Sequence, residues 1–69
     1  MWTVWEFWGQ GDPFFGGNAD DRRLGVAGRF VRSCDREEIA RYVSRPAAEL
    51  AASVASNRRE GGLISIIEG

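Results

Sequence analysis

Histidine and lysine are both missing from the 69 residues of this chain, and cysteine occurs once, as Cys34. Without histidine, the Ser-His-Asp and Cys-His nucleophile arrangements are excluded. Without lysine, so are Schiff-base chemistry and the phosphate loop that ends in Gly-Lys-Ser/Thr. A single thiol makes no internal disulfide, and the usual four-ligand Cys/His zinc sites cannot be assembled from it. No stretch approaches the ~20 apolar residues of a membrane span. The apolar start is short, carries Glu6 and has no basic run before it, so it does not read as a secretory signal. These absences lead us to expect a cytoplasmic protein that is not an enzyme, with no cofactor and no membrane attachment.

What is present is aromatic and concentrated at one end. Trp2, Trp5 and Trp8 fall within the first eight residues, beside Phe7. In an extended segment Trp5 and Phe7 point one way while Trp2, Val4 and Trp8 point the other. Both faces of the first strand therefore favour leaving water. A chain of this length hides only about 60% of the surface its unfolded form exposes, so one small domain, residues 1–69, is short of cover. Self-association is the expected remedy, and Trp2, Val4, Trp5 and Phe7 are the candidate dimer contacts.

All nine basic residues are arginine, and ten acids bring the net charge to −1. That balance argues against a dedicated binder of duplex nucleic acid. Arginine without lysine, together with abundant Ala and Gly, is also the product of a GC-rich coding sequence, as in many bacteria and bacteriophages. A phage-encoded modulator of a host protein fits the size and the missing catalytic groups.

Along the chain, residues 1–8 read as a strand because Trp, Thr, Val and Phe suit a pleated surface. Residues 9–21 are a Gly- and Asp-rich loop, long enough to carry function. Residues 23–34 read as a second strand weakened by two glycines. Asp35-Arg36-Glu37-Glu38 opens a helix through reciprocal capping. Apolar positions 39, 43, 47, 50 and 54 then share one stripe around a 3.6-residue spiral. An unbroken helix over 36–59 would be about 36 Å long and would overhang a strand of about 23 Å. A break near Ser44-Arg45, with Pro46 in the first turn of a second, Ala-rich helix, is therefore favoured. Gly61-Gly62 closes it behind Arg58 and Arg59, and Leu63–Ile67 forms a last strand suited to a central position.

The expected architecture is α+β in the order β-β-α-α-β: a three-stranded sheet with both helices on one face, dimeric through the sheet. A second copy could pack sheet on sheet or pair edge strands.

Partner contacts are expected from Trp8, Phe14, Phe15, Arg22 and Arg23, which combine the aromatic and arginine character of interaction hot spots. The same residue types could stack on single-stranded nucleic acid, an alternative function. Gly28–Ser33 shares a little of the basic-aromatic pattern of RNA-binding sheets and lacks most of it. Cys34 sits between Arg32 and Arg36, which favours a thiolate, although a small residue ending a strand is the commoner role. Asp12, Asn18, Asp20 and Asp21 have the wrong spacing for a calcium loop, and Asp20-Asp21-Arg22-Arg23 reads as a solvated turn with local charge pairing. No metal site is expected.

Overall fold

The fold is that of a computed structural model, which describes residues 1–7, 21–32, 36–59 and 61–69. The loop expected over 9–21, with Trp8, Phe14 and Phe15, lies outside these residues except at Asp21; Cys34 lies outside them too.

β-Branched and aromatic residues fill β1 (Trp2–Phe7) except at Glu6, and β1 is the hub of an antiparallel sheet. β2 (Arg22–Leu24), β3 (Phe30–Arg32) and β4 (Leu63–Glu68) complete it in the order β3-β2-β1-β4. β1 pairs with β4 along its whole length, from Trp2 opposite Glu68 to Phe7 opposite Leu63. On its other side it pairs with β2 through Trp5–Arg23 and Glu6–Arg22.

The single strand expected over 23–34 is instead a hairpin of two three-residue strands. Gly28, at φ +82°, turns the chain between them in a conformation that a residue with a Cβ rarely adopts. Gly25 lets backbone approach closely, since a Cβ there would sit 2.9 Å from the Glu38 carbonyl. Among the described residues the sheet thus has four strands rather than three.

The first expected helix is a second correction. Arg36–Glu38 forms one 3-10 turn, after which the chain runs extended. Ala40 donates to the Leu24 carbonyl at 3.0 Å, and Tyr42 and Trp2 exchange backbone hydrogen bonds of 2.8 and 2.7 Å. These tertiary partners satisfy amides that would otherwise have served a helix, so the capping pattern is overridden.

The helix starting at Pro46 forms as expected. In α1 (Arg45–Ala55) Pro46 lies in the first turn, where no amide donor is required, and the Ser44 hydroxyl accepts from the Ala47 N–H at 3.3 Å. The α-helical part ends at Ala55 and a 3-10 turn, Ser56–Arg58, follows, so the helix stops short of the glycine pair.

α1 covers the face of β1 and β4 that carries Trp2, Val4, Ile64 and Ile66. It does so with alanines: Ala48, Ala52 and Ala55 are buried against Val4 and Leu24. The expected apolar stripe is overturned beyond Ile39, because Val43, Leu50 and Val54 are 80%, 68% and 67% exposed. Small side chains let the helix axis come close to a sheet whose own residues supply the bulk. Turning Leu50 and Val54 inward would hold the helix away from Val4.

β4 occupies one edge of the sheet, not the centre. No described helix is long and apolar enough to cross a membrane.

Candidate interaction surfaces

Alternation along β1 sorts the sequence's candidate residues onto opposite faces. Val4 is fully enclosed beneath α1, and Trp2 packs against the same core with the Arg45 guanidinium 5.7 Å from its ring. Val4 therefore has no surface to offer a second chain, and its place in the candidate dimer set is corrected to the core. Trp5 and Phe7 lie on the other face. Their rings are parallel, with centroids 5.3 Å apart and 4° between planes.

Arg22 and Arg23 part company in the same way. Arg23, opposite Trp5 in the β1–β2 register, lays its guanidinium 3.9 Å from the Trp5 ring centroid. Arg22 is on the helix side, opposite Glu6, where it lines a cavity with Arg29, Phe30 and Arg58. Asp21 is buried, at 5% exposure, and Arg22 opens β2, so the solvated turn expected of these residues is not formed.

The face away from α1 thus assembles a layered group: Arg23 on Trp5, Trp5 beside Phe7. The Trp5 indole N–H donates to the Thr3 hydroxyl at 3.0 Å, which fixes the plane of the ring. Thr3 donates in turn to the Ile67 carbonyl at 3.4 Å. β4 adds Leu63, Ser65 and Ile67 to this face, and Leu63 is 70% and Ile67 37% exposed. The sequence put Trp5 and Phe7 in the dimer set and Arg23 in the partner set; the register brings all three together.

Two residues missed by sequence reasoning matter here. Leu63 and Ile67 sit at the sheet edge, and among the described residues no strand pairs with the outer side of β4. The signal available in the sequence is the run Leu-Ile-Ser-Ile-Ile, whose nearly all-apolar composition points to a centre strand.

The end of β4 nearest α1's C-terminus is anchored by a buried carboxylate. Glu6 is fully enclosed, and its Oε2 accepts from the Gly62 N–H at 2.9 Å. Gly62 must lack a side chain, because a Cβ would run into Glu6 Cγ and lie 2.8 Å from the Phe7 carbonyl. This bond fixes where β4 begins against β1, and so fixes which of its residues face outward. Among the described residues no group of three or more His, Cys, Asp or Glu could hold a metal ion.

No protein-family model, curated protein or solved structure matches this chain.

Proposed function

We propose that this chain is a small protein-binding module that acts as a homodimer, formed by antiparallel pairing of β4 with β4 of a second copy. The observation that carries the reading is the edge strand itself. It is six residues long, apolar, free of proline and charge until Glu68, and placed at the border of the sheet. Soluble proteins usually interrupt such an edge with charge or proline, because its open backbone groups template further pairing.

The sequence of β4 is self-complementary about Ser65. A two-fold axis there sets Leu63 against Ile67 of the second copy, Ile64 against Ile66, and Ser65 against itself, so both rows of side chains match. The two most exposed apolar residues of the strand become cross-strand neighbours. Glu68 falls opposite Gly62, which keeps the two carboxylates apart.

The position of α1 supports the same arrangement. The helix lies over β1 and β4, so each helix axis would stand about one strand spacing, ~4.8 Å, from the two-fold. The two helices then run about 10 Å apart, which is a packing distance. The eight-stranded sheet would present two copies of the Trp5–Phe7–Arg23 group on its uncovered side, the surface offered to a target protein.

A charge-swap pair tests both the dimer and its register. Leu63→Lys with Ile67→Lys places like charges opposite each other at two positions and should raise the dimer dissociation constant about a hundredfold. Leu63→Glu with Ile67→Lys restores opposite charges in the same register and should recover association. Light scattering over a concentration range reads both. A monomeric parent chain, or equal association by the two variants, would refute the reading.

A further inference from the structure

We infer that the outer side of α1 is a docking surface for an acidic amphipathic helix of another protein. Leu50 and Val54 are exposed there, and Ala47 and Ala51 lie half-buried beside them. Positions 47, 50, 51 and 54 have the i, i+3, i+4, i+7 spacing of one continuous stripe. Val43, also exposed, precedes the stripe at its N-terminal end. Leu50 and Val54 add nothing to the core, because Ala48, Ala52 and Ala55 fill the inward side of the same helix.

The direction of the stripe follows from its last turn. Four residues after Val54, in the 3-10 turn that continues α1, Arg58 donates from Nη1 to the Gly28 carbonyl at 3.0 Å. Residues four apart on a helix share a side, so the stripe is on the β2–β3 hairpin side of α1 and away from β4. Arg58 and Phe30 also line the cavity of about 320 Å³ below the hairpin. The stripe therefore borders a hollow that a partner's side chains can enter, and helix-in-groove recognition needs that shape.

Charge decides which kind of helix fits. Residues 41–60 hold four arginines, Arg41, Arg45, Arg58 and Arg59, against two acids, Glu49 and Glu60. The rest of the chain holds five arginines against eight acids. Arg41 and Arg45 stand before the stripe and Arg58 and Arg59 behind it, all of them exposed, so both of its ends are basic. Arg45 pairs with Glu49 at 3.0 Å. Among the described residues Arg41 and Arg59 join no ion pair, and Arg58 gives its bond to a carbonyl, which leaves its charge in place. A basic helix would meet arginine at both ends of the stripe, whereas carboxylates flanking a row of leucines would pair there. A second α1, laid parallel or antiparallel, would also set arginine against arginine, so the occupant is not another copy.

This surface is separate from the dimer, which uses β4 at the edge of the sheet. The Leu63→Lys/Ile67→Lys chain should therefore bind the partner helix as the parent does, and loss of the dimer would not carry this site with it.

Fluorescence anisotropy of three labelled peptides against the full chain gives the test. The first has leucines at i, i+3, i+4 and i+7 among glutamates and alanines, the second has lysine for each glutamate, and the third keeps the glutamates but scrambles the leucines. The first should bind about tenfold more tightly than either of the others. Leu50→Ser with Val54→Ser should weaken it about tenfold, and both positions are exposed, so the fold should be kept. Arg41→Gln with Arg59→Gln should weaken it about threefold and reduce its salt dependence. Equal binding of the three peptides, or an unchanged affinity in the Leu50→Ser/Val54→Ser chain, would overturn the inference. So would a fall in that chain's own mass by light scattering, which would give the stripe to a second copy.

Discussion

The two faces of the sheet are built from alternate residues of the same strands, yet they do opposite things. On the covered face Val4 and Leu24 are sealed against a helix whose buried residues are all alanines. On the uncovered face Trp5, Phe7 and Arg23 stack in layers, and Leu63 and Ile67 reach solvent. The difference shows that side-chain volume in this chain is assigned to the sheet, not to the helix. A helix of small residues can sit close over β1 and β4, while the other face of the same strands has no helix among the described residues to cover it.

Leucine offers the strongest way to break that comparison, because one residue type occurs in both settings. Leu24→Ala should lower unfolding free energy by about 3 kcal/mol, since a nearly fully buried leucine leaves a cavity. Leu50→Ala, on the outer side of α1 at 68% exposure, should change it by no more than about 0.5 kcal/mol. Urea denaturation of the two variants compares them directly. Equal losses would mean that α1 is turned the other way.

Overpacking probes the same contrast from the opposite direction. Ala48→Leu and Gly62→Ala should each cost about 2–3 kcal/mol, the first by lifting α1 off Val4 and the second by collision with Glu6. Smaller still is the effect expected on the uncovered face. Arg23→Ala should cost about 0.5–1 kcal/mol in thermal or urea unfolding, the worth of a cation resting on an indole ring.

The weakest expected effect is a pH dependence. Partial burial raises the pKa of Tyr42 above its ordinary value of 10.0, because desolvation disfavours the phenolate. The stability this implies is present below the unfolded value and is lost as pH rises through the folded one. Tyr42→Phe should therefore flatten the alkaline end of the stability profile and leave neutral pH unaffected. An unchanged slope above pH 10 would assign the alkaline loss to other groups.

Much of this arrangement was legible in the sequence, and the illegible parts share a cause. β1 could be read from its aromatic and β-branched residues, and Pro46 placed the start of α1 near Ser44-Arg45. The last strand could be read from Leu63 to Ile67. What failed was every step that needed a partner from elsewhere in the chain. Asp35 to Glu38 has the pattern of a helix start, but the Trp2 and Leu24 backbones take the amides of Tyr42 and Ala40. The stripe 39, 43, 47, 50 and 54 has good helical spacing, but spacing alone does not say which of two apolar sides faces inward. Ala48, Ala52 and Ala55 win that place because close approach buries the larger residues of the sheet.

The candidate site was half legible for a related reason. Trp5 and Phe7 could be placed on one face by alternation within β1, whereas Arg23 joins them only through the β1–β2 register. Leu63 and Ile67 were hidden by the rule that wholly apolar strands are central. In this fold β1 holds the centre, and the apolar strand is left at the border.

The most direct test of the β4 pairing is a disulfide on its axis. In a Cys34→Ser background, Ser65→Cys puts two thiols at the point where the strand meets its own copy, and opposed residues of antiparallel strands stand ~4.5–5.5 Å apart between Cα atoms, within disulfide reach. Oxidation should convert most of this variant to a covalent dimer, while Leu63→Cys in the same background, which faces Ile67 of the second copy, should cross-link poorly. Equal yields from the two positions, or none from Ser65→Cys, would contradict the account.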